Sequence, residues 1–257
     1  MTFKEMMDVG VFCKLFGESN SIWIISAVVT AIFAYLLGSL NSGVLISRVA
    51  FREDIRNYGS GNAGTTNMMR TYGKKFAVIT LLGDALKAAA AVWLGYFLSG
   101  YNGGFVAFFF CVVGHAYPVF FNFKGGKGVA CTAAAILCLQ PLVFSILFAL
   151  FVLIVLFTRY ISLGSVMCMM VFPLVLYRMH PELNVISLIF SILASALVIF
   201  LHRSNIGRLW RGEENKFTFK PKTRKAGEAE GGDEADKEEP EDIEDINEDI
   251  NKEEETK

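Results

Sequence analysis

The sequence lacks the paired cysteines that disulfide frameworks and most zinc sites need. Its five cysteines are odd in number, include no CxxC pair and are scattered through apolar stretches: Cys13, Cys111, Cys131, Cys138 and Cys168. This pattern is typical of small hydrophobic side chains rather than of disulfides or metal ligands. The sequence also shows no metal-ligand cluster, so we expect an activity that needs no metal and no cofactor.

Three further absences narrow the class of protein. A Walker A loop, GxxxxGK[ST], is missing because Gly128 stands where that motif requires Ser or Thr. The glycine-rich runs GSGNAG and KGGKG occur once each, so the internal symmetry typical of many transporters is not found. The N-terminal 20 residues lack the layout of a signal peptide, since acidic residues interrupt them and no small-residue cleavage site follows Ile22. We therefore expect the first helix to remain uncleaved.

Long apolar runs, in contrast, dominate the chain. Of 257 residues 53% are apolar and 23 are Phe, and the mean hydropathy of +0.44 predicts an integral membrane protein. The apolar segments are 22–46, 76–98, 103–121, 129–139, 141–157, 161–177 and 183–201. Segment 129–139 is much shorter than the roughly 20 residues of a spanning helix. We therefore predict an all-α polytopic fold of about seven transmembrane helices, one of them short or re-entrant.

Positive charge is distributed unevenly along this chain. Residues 226–257 hold 16 Asp or Glu and three Lys, whereas residues 1–225 hold 21 basic and nine acidic residues. The loop 47–75 carries six basic and two acidic residues, so by the positive-inside rule it is cytoplasmic. Alternation from this loop predicts an N-terminus outside and a C-terminus in the cytoplasm.

The charge pattern also suggests three parts. They are an N-terminal segment (1–21), a membrane domain (22–216) and a basic-to-acidic cytoplasmic tail (217–257). From Ala226 the tail is acidic and lacks aromatics, so it cannot bury a core and we expect it to be disordered.

A polar run, GSGNAGTTNMMR at 59–70, interrupts the apolar pattern. Such a run cannot lie in hydrocarbon unless its backbone groups find partners in protein or water. Gly59, Gly61 and Gly64 permit positive φ and close approach of the backbone. The hydrogen-bonding side chains of the run are Ser60, Asn62, Thr65, Thr66 and Asn67. The loop can direct N–H groups at an oxyanion, and Arg70 can clamp a phosphate or carboxylate.

Two more polar clusters fall on the same predicted side. KGGKG at 124–128 precedes a helical run, which would place backbone donors and a cation at a helix N-terminus, although an ordinary basic turn fits it equally well. HRSNIGRLWRGEENK at 202–216 follows the last apolar segment, and its His202 and Asn205 share a helical face. The cations suited to phosphate are Arg70, Lys124, Lys127, Arg203 and Arg208. Three such segments on one side predict a single site.

Asp84 and Lys87 place two charges inside the second apolar segment. An unpaired charge there is costly, so we expect a mutual ion pair or a polar cavity. A transporter for an anionic metabolite is the main alternative to an enzyme, since intramembrane charges and a re-entrant helix fit that class too.

Four motifs together resemble one family. The runs 59–70, GHAYPVFFNFKGGKGVA at 114–130, RYISLGS at 159–165 and HRSNIGRLWRGEE at 202–214 occur in the order and spacing of the bacterial acyl-phosphate:glycerol-3-phosphate acyltransferases. The resemblance extends from about residue 34 to residue 216. Departures are small: Thr65 stands where alanine is commoner, Asn41 where proline is usual and Cys131 where threonine or a small residue is usual.

The resemblance implies a seven-helix enzyme of the cell membrane with its active site facing the cytoplasm. It implies transfer of a fatty acyl group from acyl phosphate to the sn-1 hydroxyl of glycerol 3-phosphate. The products are lysophosphatidic acid and phosphate, in the first acylation step of phospholipid synthesis. The expected partners are then these two substrates and membrane lipid, with no nucleic acid and no protein partner indicated.

The resemblance also implies roles for individual residues. The expected catalytic residues are Ser60, Arg70, Lys127, His202 and Asn205. Substrate binding is expected of Gly59, Gly61, Asn62, Thr66, Asn67, Lys124, Gly125, Gly126, Gly128 and Arg203. Residues 125–128 correspond to the family's phosphate loop, and Glu214 looks structural. His202 is either the general base or an orienting group beside a substrate phosphate that takes the proton, and Ser60 either stabilises the oxyanion or forms an acyl-enzyme.

Overall fold

The regular elements of the chain are helical throughout the part that the structure describes. The computed structural model describes residues 9–17 and 19–217, so the predicted disorder of the tail from residue 218 onward lies outside the described residues. The α-helices are α1 (Val11–Phe16), α2 (Asn20–Ser39), α3 (Ser42–Phe51), α4 (Thr65–Tyr72), α5 (Lys74–Ala116), α6 (Val129–Leu139), α7 (Pro141–Thr158), α8 (Ile161–Met179), α9 (Val185–Leu201) and α10 (Arg203–Arg211). The all-α prediction is confirmed for these residues.

Several of these helices are long and apolar enough to cross a membrane. Four helical runs meet that condition, at Asn20–Phe51, Lys74–Phe121, Pro141–Thr158 and Ile161–Met179. A fifth is added if α9 and α10, bent by 53° at their junction, are taken as one span. Helix α6 has 11 residues, as the sequence predicts, and is too short to span alone. The chain is therefore a multi-pass membrane protein, and residues 9–17 and 19–217 contain four to five candidate spans by length and composition.

Helix α5 reverses direction at Gly100, whose φ of 68° and ψ of −163° are not helical. Gly95 and Gly103 face each other so closely that a Cβ added to either would overlap the carbonyl oxygen of the other. Lys87 Nζ lies 3.0 Å from His115 Nδ1, 28 residues further along the chain. A continuous helix would separate these residues by about 42 Å. The two halves, 74–99 and 101–116, are therefore antiparallel and correspond to two of the predicted apolar segments.

The predicted segment 22–46 is divided, in contrast, into α2 and α3. The division occurs at Asn41, whose Oδ1 accepts a hydrogen bond from Val44 N–H at 3.2 Å. Asparagine in this position satisfies an open donor of the following helix, so it favours a new helix start over continuation of α2. The predicted segment therefore contains a helix break, although Asn20–Phe51 still meets the length and composition of one candidate span.

Small residues let the helices approach closely. A Cβ added at Gly38 of α2 would overlap Cys111 O, and one added at Gly114 would overlap Tyr35 O. Close backbone approach at small residues is a common way for membrane helices to associate. The main core lies alongside this contact and includes the fully buried rings of Phe105, Phe108 and Phe172.

A second, smaller core lies beneath the polar loops. It comprises Val44, Ile55, Ala63, Met68, Ala77 and Phe121. These residues come from α3, the loop 52–64, α4, α5 and the loop before α6. Their burial holds the two glycine-rich segments together at one end of the molecule.

Candidate active site

The first polar run is folded around one buried side chain, Asn67. Its Oδ1 accepts the N–H of Ser60 at 2.9 Å. Its Nδ2 lies within hydrogen-bond distance, 2.9–3.2 Å, of the carbonyl oxygens of Ile55, Tyr58 and Asn62. Asn67, expected to bind substrate, thus organises the loop that presents Ser60.

Glycine is required at two positions of this loop. Gly59 and Gly61 have φ values of 57° and 69°, as the sequence predicts, and a Cβ at Gly59 would also overlap Asn67 Oδ1. Gly64 has φ of −94° and is the N-cap of α4, so it does not use the positive φ that glycine permits. The loop leaves Ser60 exposed, with Arg70 half-buried in the last turn of α4.

The second polar cluster lies across the end of α5. Gly125 N–H donates to Ala116 O at 3.0 Å, and Gly126 N–H donates to His115 O at 3.1 Å. A Cβ at Gly125 would overlap His115 O, and one at Gly126 would overlap the His115 ring. These two N–H groups are therefore occupied, in contrast to the open donors that the sequence suggests. Gly128 begins α6 with φ of 76°, and no side chain caps that helix.

Lys127 joins the second cluster to the third. Its ammonium donates to Asn205 Oδ1. Asn205 Nδ2 in turn donates to Glu214 Oε1 at 2.6 Å, and Ser162 Oγ donates to the same oxygen at 2.7 Å. Arg208 Nε donates to Glu214 Oε2 at 2.8 Å. Glu214 thus supports Asn205 and Arg208, which agrees with the structural role implied for it.

The charges around Lys127 perturb its protonation. Burial, assisted by the charges of Arg208 and Arg70 and opposed by Glu214, lowers the pKa of Lys127 to about 8. The pKa of Glu214 is lowered. Burial alone would raise it, but the hydrogen bonds that Ser162, Asn205 and Arg208 donate to its carboxylate outweigh that effect. The segment that leads into the first polar run contacts the second cluster directly, since Arg56 Nη1 donates to Lys124 O at 2.7 Å. This contact, and the charge that Arg70 exerts on Lys127, agree with the single site that the sequence predicts.

His202 lies at the bend between α9 and α10 and is only 3% exposed. Its Nδ1 is 2.8 Å from Val198 O, and a carbonyl only accepts, so Nδ1 carries the proton and Nε2 is an acceptor. Burial lowers the pKa of His202, and the charge of Lys127 acts in the same direction. Both effects outweigh the opposing hydrogen bond to Val198 O and favour the neutral ring.

Three predicted binding residues lie outside this network. Arg203 is exposed; its guanidinium donates to Phe200 O at 3.3 Å and lies 4.6 Å above the Phe200 ring. Lys124 is also exposed, and Thr66 is half-buried in the first turn of α4. The structure thus brings together Arg70, Lys127, His202 and Asn205 but not Arg203.

The sequence of this chain matches that of a known protein family. A family model described as glycerol-3-phosphate acyltransferase matches residues 28–212. The chain belongs to the glycerol-3-phosphate acyltransferase family. It is similar to the glycerol-3-phosphate acyltransferase of Finegoldia magna, with 40% identity over 192 residues, covering 74% of this chain and 95% of the relative. That of Syntrophomonas wolfei is 43% identical over 189 residues, covering 74% and 96%.

Solved structures agree with this assignment. The crystal structure of PlsY, an integral membrane glycerol 3-phosphate acyltransferase, in its glycerol 3-phosphate form is 39% identical, with a TM-score of 0.69. The match covers 75% of this chain and 96% of that one. The lysophosphatidic acid form matches with a TM-score of 0.67 and 37% identity. This family member is therefore a membrane acyltransferase, and the resemblance found in the sequence is confirmed.

Within this acyltransferase, sequence reasoning missed the role of Arg56. Its guanidinium pairs with Asp54 and reaches the carbonyl oxygens of Phe121 and Lys124, which lie 65 and 68 residues away. The sequence revealed both residues only as charges of a basic loop, because no pattern shows which distant carbonyls an arginine will meet.

A buried cluster links Asp84 and Lys87 to His115. Lys87 Nζ lies 2.8 Å from Asp84 Oδ1, 3.0 Å from His115 Nδ1 and 2.7 Å from Leu40 O. The predicted ion pair is confirmed, whereas the participation of His115 was not expected. Ligand atoms of Asp84, His115 and Cys131 lie within 4.8 Å of one another, a grouping that can hold a metal ion. The ammonium of Lys87 already occupies the space beside two of these three groups.

Proposed function

We propose that the chain transfers a fatty acyl group from acyl phosphate to the sn-1 hydroxyl of glycerol 3-phosphate, forming lysophosphatidic acid and inorganic phosphate. The observation that carries this proposal is the bond between Lys127 and Asn205, which joins the KGGKG loop to the 202–214 segment with Arg70 close by. Two phosphorylated substrates need several cations close together, and Lys127, Arg70 and Arg208 meet that need. The solved relatives in glycerol 3-phosphate and lysophosphatidic acid forms are consistent with the acceptor and the product.

The proposal includes a position in the cell membrane. Seven membrane segments, with the N-terminus outside and the C-terminus in the cytoplasm, place the three polar clusters on the cytoplasmic side. The reversal at Gly100 supports this number, since it makes two segments of the single run 74–116. Glycerol 3-phosphate would then reach the site from the cytoplasm, and the acyl chain would arrive from the bilayer.

The chemistry needs little covalent participation by the protein. The glycerol hydroxyl oxygen attacks the acyl carbonyl carbon, the bond from that carbon to the phosphate oxygen breaks, and phosphate departs with the electron pair. Because acyl phosphate is a mixed anhydride and already activated, positioning can supply much of the rate, on the order of 7–11 kcal/mol for well-oriented reactants. Lys127 and Arg70 would hold the phosphates, while Gly125 and Gly126 fix the loop against the end of α5.

The carbonyl oxygen becomes negatively charged as the hydroxyl attacks. The exposed Ser60 hydroxyl, presented by the loop that Asn67 folds, is suited to donate to that oxyanion. A single donor of this kind contributes about 3–4 kcal/mol in other enzymes. Ser60 acts in this scheme as a hydrogen-bond donor and not as a nucleophile.

The proton of the glycerol hydroxyl passes to a phosphate oxygen of the substrate in this proposal, while His202 and Asn205 orient the acceptor. A neutral His202 with an open Nε2 and a lowered pKa is a good hydrogen-bond acceptor but a weak base. We expect that His202→Ala loses activity and that added imidazole does not restore it at pH 7. Restoration by imidazole would assign the proton to His202 instead.

The overall reaction is tested with the purified full chain in detergent. Acyl phosphate and glycerol 3-phosphate are supplied, and lysophosphatidic acid and phosphate are quantified, with acyl-CoA as the alternative donor. We expect product from acyl phosphate alone, with the ester at the sn-1 carbon by NMR. Transfer from acyl-CoA only, or ester at the second carbon, would contradict the proposal. A trapping experiment with labelled acyl phosphate should leave no acyl group on Ser60.

A further inference from the structure

Arg56 lies at the junction of the two glycine-rich loops. Its side chain is 15% exposed, and its Nη1 donates to Phe121 O and Lys124 O, both at 2.7 Å. Both carbonyls belong to the segment 117–128, which leads from α5 to α6 and carries Lys127. Arg56 itself belongs to the segment that carries Ser60. One side chain therefore connects the two loops.

Two further donors of the guanidinium are also occupied. Nε and Nη2 bind the two oxygens of Asp54 at 2.8 and 2.7 Å, a bidentate pair. Arg48 Nη2 also donates to Asp54 Oδ2 at 3.0 Å. The guanidinium carbon of Arg48 lies 5.3 Å from the centre of the Phe121 ring. Four of the five guanidinium N–H groups of Arg56 thus bind protein acceptors, so it is poorly placed to bind a substrate phosphate.

Both ends of this connection continue into the site. On one side Ile55, the neighbour of Arg56, offers its carbonyl oxygen to Asn67, the residue that fixes Ser60 N–H. On the other side Lys124 is followed by the two glycines that bind the end of α5, and then by Lys127. Between the loops lies a polar cavity of about 320 Å³, with Arg56, Gly61, Lys124 and Gly125 among its lining residues. The width of that cavity depends on the guanidinium bridge.

We propose that Arg56 is a positioning residue for acyl transfer, which sets the distance between the loop of Ser60 and the loop of Lys127. This inference rests on the proposed function, in which Ser60 meets the acyl carbonyl and Lys127 meets a phosphate. A planar guanidinium bridges a carboxylate and two carbonyls simultaneously, whereas an ammonium on a flexible stem cannot.

The test compares Arg56→Ala, Arg56→Lys and the control Arg52→Gln, an exposed arginine of the same loop. Misplacement of reacting groups by about 1 Å costs roughly 100-fold in rate. We expect kcat to fall about 10- to 100-fold in both Arg56 variants, with the KM for each substrate changing much less. The control should retain the activity and the melting temperature of the unaltered chain.

Chemical rescue separates positioning from a general loss of structure. Because Arg56 borders an open cavity, guanidinium ion at millimolar concentration should restore much of the kcat of Arg56→Ala, and should leave Arg56→Lys and the control unaffected. Full activity of Arg56→Lys would show that charge alone suffices and would overturn the inference. A loss confined to KM, or a folded Arg56→Ala that guanidinium does not rescue, would overturn it as well.

Two outcomes tell the inference apart from the proposed function. If the unaltered chain makes no lysophosphatidic acid from acyl phosphate, the proposed function fails. If it does so and Arg56→Ala is equally active, only the inference fails. If Arg56→Ala melts at a lower temperature than the unaltered chain, the inference is tested by the kcat of Arg56→Lys, because that variant can keep an ion pair with Asp54.

Discussion

Two lysines of this enzyme lie in clusters of similar composition but opposite character. Lys87 is buried between helices, where Asp84, His115 and Leu40 O surround its ammonium. Lys127 is at the start of α6, and among the described residues its ammonium has one hydrogen-bond partner, Asn205. The first lysine has its bonding capacity satisfied by the fold, whereas the second has capacity left for a ligand. Local surroundings, rather than residue types, therefore distinguish a lysine whose donors the fold satisfies from one whose donors remain available to a ligand.

Removing Lys87 should have the largest effect on stability. Lys87→Met leaves Asp84 buried without its charged partner, which costs about 3–5 kcal/mol of unfolding free energy in comparable cases. The double variant Asp84→Asn, Lys87→Met removes both charges and should recover most of that loss. Denaturant unfolding in detergent, followed by circular dichroism, checks both. If Lys87→Met proved as stable as the unaltered chain, the two lysines would not differ in the way described.

Removing Lys127 should reverse that pattern. Lys127→Met is expected to lower kcat/KM by about 10²- to 10³-fold, the loss typical of one charge-stabilising donor. Its unfolding free energy should not fall as that of Lys87→Met does, because burial disfavours the charged ammonium and its removal offsets the loss of the hydrogen bond to Asn205. Lys75→Met, an exposed lysine of α5, serves as the control. Unchanged activity in Lys127→Met would remove this residue from the site.

The pH dependence sharpens the contrast for Lys127. Its pKa of about 8 lies below the ordinary 10.5, so between these values the unfolded chain binds more protons than the folded chain. The contribution of Lys127 to stability therefore rises with pH in this window. Activity should fall over the same window, because the ammonium that holds phosphate is lost. Profiles of kcat/KM and of unfolding free energy should show opposite slopes, and both slopes should be absent from Lys127→Met.

Chelation should have the smallest effect. The grouping of Asp84, His115 and Cys131 already contains the ammonium of Lys87 beside two of its members. We therefore expect full activity of the purified chain after dialysis against EDTA. Loss of activity that magnesium or zinc restores would indicate that a metal ion takes part after all.

Much of the fold follows from the sequence because apolar length and helix breakers are local properties. Helix α6 has the bounds expected, and α7 extends the expected segment by one residue, to Thr158. The break at Asn41 was missed because the apolar run continues through it, and a single capping side chain decides the matter. Local pattern does not show when one polar residue outweighs a hydrophobic run.

The site was predictable to the extent that its motifs are contiguous. Lys127, His202, Asn205 and Arg70 were named from three short runs, and they lie together. Their supporting contacts were not named, since Ser162, His115 and Arg56 act across 28 to 68 residues of intervening chain. Gly125 and Gly126 were expected to offer open donors, but their N–H groups donate to the carbonyl oxygens of Ala116 and His115 at the end of α5.

That last contact has a consequence for the electrostatics of the site. A helix carries partial negative charge at its C-terminal carbonyls, and α5 ends where the segment 117–128, which carries Lys127, begins. Gly125 and Gly126 cover two of those carbonyls, His115 O and Ala116 O, with their own N–H groups. An anion held by Lys127, as the proposed function requires, would thereby be screened from a helix terminus of unfavourable sign. The two glycine N–H groups thus reduce the repulsion between the C-terminal carbonyls of α5 and a bound anion.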